Sequence, residues 1–128
     1  MLENADFGKL IIRLTLGGLM LFHGVAKLFN GISGIEGMLA GHGIPTIFAY
    51  GVFIGELIAP LMVILGYQTR IGALLIVFNM LVAIALAHGN ELLALGRSGG
   101  WALELQGFFL FTALAVIFLG PGRYKLKN

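Results

Sequence analysis

Residues 47–88 read IFAYGVFIGELIAPLMVILGYQTRIGALLIVFNMLVAIALAH. Two apolar runs, 47–66 and 71–88, flank the short link Tyr67-Gln68-Thr69-Arg70. A membrane-crossing helix needs roughly 20 mostly apolar residues, and each run comes close to that. A link this short forces the two helices into a tight antiparallel hairpin. The only charged residues in the stretch are Glu56 and Arg70, so neither helix has the polar face that a soluble helix turns to water.

The same reading extends in both directions. Residues 8–29 form a first apolar segment and residues 102–120 a last one, which Pro121 and Gly122 bring to a stop. Between the first and second segments, residues 30–46 hold Gly31, Gly34, Gly37, Gly41, Gly43 and Pro45, with Ile32, Ile35, Met38 and Leu39 at helical spacing. That pattern predicts a short re-entrant or interfacial helix. The expected fold is all-α: an integral membrane four-transmembrane-helix bundle forming one domain over residues 1–128, with spans at about 8–29, 47–66, 71–88 and 102–120.

Composition agrees. Of the 128 residues, 59% are hydrophobic and 11% charged, with a mean hydropathy of +0.98. Soluble domains carry about 25% charged residues, and disorder requires low hydrophobicity, so both classes are excluded. The chain has no cysteine, which removes thiol–disulfide chemistry, iron–sulfur clusters, covalent haem attachment and thiolate metal sites. Glu3 and Asp6 precede a long apolar run without a small-x-small site, so no cleaved leader is expected.

The net charge of +2 is read as topology, not as nucleic-acid binding. Lys9, Arg13, Arg70, Arg123, Lys125 and Lys127 lie toward one side of the predicted bundle, against Lys27 and Arg97 toward the other. The positive-inside rule then places both termini in the cytoplasm and the chain in the inner (plasma) membrane, among lipids. Trp101 and Tyr124 fall at predicted interfaces. Gly51, Gly55 and Ala59 repeat every fourth residue, a stripe that permits close helix approach. It serves packing within the chain, or alternatively a homodimer seam.

Ionisable groups inside spans cost roughly 2.5–3.5 kcal/mol each and are therefore functional candidates. On the first helix, Arg13, Gly17, Met20, His23, Gly24 and Lys27 share an arc of roughly 120°. Glu56 sits mid-way along the second helix, and Pro60, four residues on, removes the hydrogen bond to its carbonyl. Asn79 lies in the third segment with His88 at its end. The fourth opens with Trp101, Glu104 and Gln106, and Glu104 shares a face with Phe108, Phe111, Ala115 and Phe118.

This mixture suits a quinone-type ligand. The expected binding set is His23, Lys27, Glu56, Asn79, His88, Trp101, Glu104 and Phe108: His and Lys bond a ring carbonyl, carboxyls exchange protons, and aromatic rings flank the ligand. Catalysis is assigned to Glu56, His23 and Glu104, and structural or charge-balancing roles to Arg13, Pro60 and Arg70. An internal network in which Lys27 neutralises Glu56 or Glu104 is the simpler reading of the same residues. No haem, flavin or metal is expected, because His23 and His88 differ in predicted depth by roughly 8 Å and no ligand spacing is present.

Arg13, the run His23-Gly24-Val25-Ala26-Lys27, Gly43-Ile44-Pro45, Gly55-Glu56, Gly66-Tyr67-Gln68-Thr69-Arg70 and the tail Gly120-Pro121-Gly122-Arg123-Tyr124 together resemble the DoxX family of small four-helix membrane proteins. Glu104-Leu105-Gln106 stands where some relatives have a Lys-Asn pair. The resemblance implies an oxidoreductase label. A related branch, DoxD, looks like the membrane subunit of a thiosulfate:quinone oxidoreductase, and distant animal relatives look like assembly factors. The expected function is a quinone-linked oxidoreductase subunit working with a soluble or membrane redox partner. The alternatives are a small-molecule carrier, a membrane-protein assembly factor, or an anchor for a soluble enzyme.

Overall fold

A computed structural model describes residues 4–87 and 103–126. His88 and Trp101, both expected at the ligand site, lie outside the described residues, as do Arg97 and Lys127. The described residues form five helices. Helix α1 is Ala5–Asn30 and α2 is Ser33–Gly41. Helix α3 is Thr46–Leu65, α4 is Thr69–Ala87 and α5 is Glu104–Leu119.

Helices α1, α3 and α4 are long and apolar enough to cross a membrane. Helix α5 has 16 residues, about 24 Å at 1.5 Å per residue, against a hydrocarbon core of roughly 30 Å. The expected short helix between the first two segments is present as α2. The long helices turn large apolar side chains outward, among them Phe22, Phe29, Phe78 and Phe118. In water such a surface would be unstable, and in lipid it is the ordinary solvent-facing side.

The core between α1, α3, α4 and α5 is built from Leu16, Met20, Val63, Ile76, Phe109 and Val116. Glycines allow the helix backbones to come close. A Cβ on Gly17 would lie 2.8 Å from the Pro60 carbonyl oxygen, and one on Gly72 would lie 3.1 Å from that of Ala59. Within the predicted small-residue stripe, Gly51 is exposed, whereas Gly55 is buried against Asn79 of α4 and Ala59 is wholly buried. Those two positions serve packing inside the chain.

Helix α3 is irregular, and the cause is readable. It opens as a 3-10 turn over Thr46–Tyr50 after Pro45. It widens to a π turn over Ile54–Ile58, where the Ala59 amide donates to the carbonyl of Ile54, five residues back. Pro60 follows with no amide hydrogen, so the Glu56 carbonyl lacks the usual donor four residues on. That carbonyl faces Gly24 of α1 so closely that a Cβ there would overlap it.

One end of the bundle gathers the start of α1, the α3–α4 turn and the C-terminal tail. The Arg123 amide donates to Asp6 Oδ1 at 3.2 Å, and the Leu126 amide donates to the Leu65 carbonyl at 3.2 Å. Arg13 is buried there. Its Nε donates to the Val63 carbonyl at 2.9 Å, Nη2 to that of Ile64 at 3.0 Å, and Nη1 to those of Pro121, at 3.0 Å, and Tyr124. Its partners are all backbone carbonyls. Arg70, exposed, donates through Nε to the Ile117 carbonyl at 2.8 Å near the end of α5.

Candidate functional site

The other half of the bundle holds the ionisable cluster. Lys27 lies about 21 Å along α1 from Arg13 at 1.5 Å per residue. Its Nζ forms an ion pair with Glu56 Oε1. Asn79 of α4 donates from Nδ2 to Glu56 Oε2 at 2.8 Å. One carboxylate thus joins three helices, with both oxygens engaged. The Glu56 side chain is only 4% exposed, while that of Lys27 is 31% exposed, so the ammonium is the accessible half of the pair.

Two glycines make this cluster sterically feasible. Gly24 is three residues before Lys27, on the same face of α1, and admits the Glu56 backbone. Gly55 admits Asn79, since a Cβ there would lie 2.5 Å from the Asn79 Cβ and 2.8 Å from its Oδ1. The π turn that carries Glu56 adds one residue to the helical circuit and so sets the direction of its carboxylate. Such turns recur at functional sites.

The cluster borders a cleft of about 780 Å³, within the size range of small-molecule sites. Its walls are mostly apolar and come from α1, α2, α3, α4 and α5, with Met38, Leu39, Phe48, Phe78, Leu86 and Phe109 prominent. His23, Lys27, Glu56, Asn79 and Gln106 supply polar groups. His23 is exposed and meets Phe109 edge-to-face, with centroids 5.6 Å apart and an interplanar angle of 89°.

The structure therefore brings together His23, Lys27, Glu56 and Asn79 from the expected binding set. It separates Glu104 and Phe108 from them. Both line a different groove, between α1 and α5, with Ile11, Thr15, Phe111 and Ala115. The predicted common face of Glu104, Phe108, Phe111 and Ala115 exists, but it is not the face that borders the cleft. Glu104 is exposed as the first residue of α5, where a carboxylate is favoured by the helix dipole. Gln106 and Phe109, three residues apart, border the cleft instead. The spacing Gln106–Phe109 is visible in the sequence, but the charge of Glu104 points to the other face of the helix. Among the described residues no group of three His, Asp or Glu side chains could hold a metal ion.

The sequence pattern of the DoxX family matches residues 8–89, which takes in all but the first turn of α1, the whole of α2 to α4, and the Lys27–Glu56–Asn79 cluster. The chain belongs to the DoxX family. It is a small helical membrane protein. No curated protein and no solved structure matches it. Within this DoxX chain, the matched segment also holds Arg13 and two of its four carbonyl partners, Val63 and Ile64; the other two, Pro121 and Tyr124, lie beyond it.

Proposed function

We propose that this DoxX protein is a four-span protein of the inner membrane with both termini in the cytoplasm, and that it is the quinone-binding membrane subunit of an oxidoreductase. The observation that carries this reading is the cleft beside Lys27. An apolar hollow sized for a small molecule is bordered by an ammonium group that is paired with Glu56, whose other carboxylate oxygen is held by Asn79. A quinone ring would lie between apolar walls, with a carbonyl oxygen accepting from Lys27 and a face or edge toward His23.

Reduction of a quinone takes two electrons and two protons. The electrons come from a redox partner, because the chain itself has no thiol to supply them. The protons pass through groups at the cleft, for which His23, exposed at its rim, is suited. Glu56 has a different task in this scheme. With two donors on its carboxylate it orients Lys27.

The test is mass spectrometry of organic extracts from protein purified gently from its native membrane. The expected result is a stoichiometric quinone that is lost in a Lys27→Met/Glu56→Gln variant, with helicity and melting retained in that variant. A folded wild-type protein that carries no quinone, but brings down another protein at stoichiometry, overturns the reading in favour of an assembly or anchoring role.

A further inference from the structure

Among the described residues bordering the cleft, Lys27 and Glu56 are the only charged ones; the other polar groups are His23, Asn79 and Gln106. We infer that the Lys27–Glu56 ion pair makes the cleft a charge filter, admitting neutral amphiphiles whose headgroup accepts hydrogen bonds and rejecting anionic ones. This rests on the proposal that the cleft is a ligand site, and adds to it a rule about which ligands fit.

The two halves of the pair meet the cleft differently. Glu56 is buried, with one oxygen on Lys27 and the other on Asn79, and is the less accessible half. Lys27 is the exposed half. One of its three N–H groups goes to Glu56, and two remain to donate to an incoming acceptor. A lone lysine at such a place would draw carboxylates, sulfonates and lipid phosphates. Here its charge is already balanced at hydrogen-bond distance. An anion entering the apolar cleft would give up its hydration and find no uncompensated charge in return. A neutral carbonyl gives up far less and still gains charge-assisted N–H···O bonds.

Glu56 is therefore a specificity-determining residue that acts through Lys27, and Gly55 and Asn79 position it. Removing the carboxylate charge while keeping its shape leaves an unbalanced ammonium facing the cleft. The filter then reverses.

A matched pair of probes tests this. An alkylated methylnaphthoquinone is neutral, and its hydroxynaphthoquinone counterpart is a vinylogous acid that is anionic above neutral pH. Binding of each is measured by calorimetry to the full-length protein in nanodiscs of zwitterionic lipid. Wild-type protein is expected to bind the neutral probe at least about tenfold more tightly, and Glu56→Gln to prefer the ionised one. If Glu56→Gln does not fold, Lys27→Met/Glu56→Gln, whose cleft is again net neutral, is expected to bind both probes more weakly and still favour the neutral one.

Wild-type protein that binds the ionised probe as tightly as the neutral one overturns the filter while leaving the site in place. The same holds if folded Glu56→Gln keeps the wild-type preference, or if the double variant favours the anion. Failure of folded wild-type protein to bind either probe overturns the site itself.

Discussion

Gly24 and Lys27 are one turn apart on α1, and both meet Glu56: the glycine at its backbone carbonyl, the lysine at its carboxylate. The two contacts depend on each other. Moving α1 away to make room at Gly24 also lengthens the ion pair. Gly24→Ala places a methyl group against a backbone oxygen, which cannot rotate aside as a side chain can. We expect a loss of about 1–3 kcal/mol, typical of overpacking. Gly34 of α2 is the comparison, because a Cβ there meets nothing within 4 Å. Gly34→Ala should be neutral or should stabilise by up to about 1 kcal/mol through helix propensity. Thermal melting of both variants in one detergent, followed by circular dichroism, checks the pair. Equal melting temperatures would mean that the Gly24 approach carries no weight.

At the scale of the element, α3 shows how an irregular helix is kept in an apolar medium. A helix leaves its last four carbonyls without partners, and lipid supplies no donors. The Met62 carbonyl accepts from Tyr67 at 2.9 Å in the left-handed turn at Gly66. Those of Val63 and Ile64 accept from Arg13, and that of Leu65 from Leu126. All four are satisfied, two of them by one guanidinium whose remaining nitrogen holds the tail. Lysine has one nitrogen and cannot span these directions. Arg13→Lys should therefore leave carbonyls unpaired, lower stability by about 2 kcal/mol or more, and loosen the tail. Hydrogen exchange is the measurement: the Leu126 amide should lose protection in the variant while the middle of α4 keeps it. Unchanged protection at Leu126 would refute the clasp. Part of this element was legible in the sequence. Pro60 announced a freed Glu56 carbonyl, and Arg13 announced a buried polar centre. Their recipients were not legible. Backbone carbonyls have no residue signature, and which carbonyl a guanidinium reaches depends on how two distant helices cross.

At the scale of the whole molecule, the periodicity of apolar segments specified the bundle, because length and hydropathy are local properties. The site was legible only in part. His23, Lys27, Glu56 and Asn79 stood out as ionisable or polar groups in apolar runs, and they do meet at one cleft. Glu104 stood out equally and lies in another groove, since which face of α5 turns inward is set by packing. The course of the chain now bears on orientation. The tail touches both the start of α1 and the α3–α4 turn, so successive long helices alternate in direction and α5 returns to the end where α1 began. That end carries Lys9, Arg70, Arg123 and Lys125, which the positive-inside rule assigns to the cytoplasm. The cysteine-free chain makes the test direct. In intact cells, an impermeant maleimide should label Ser33→Cys, just after α1, and should label Lys125→Cys only once the membrane is permeabilised. Labelling of Lys125→Cys from outside would invert the orientation.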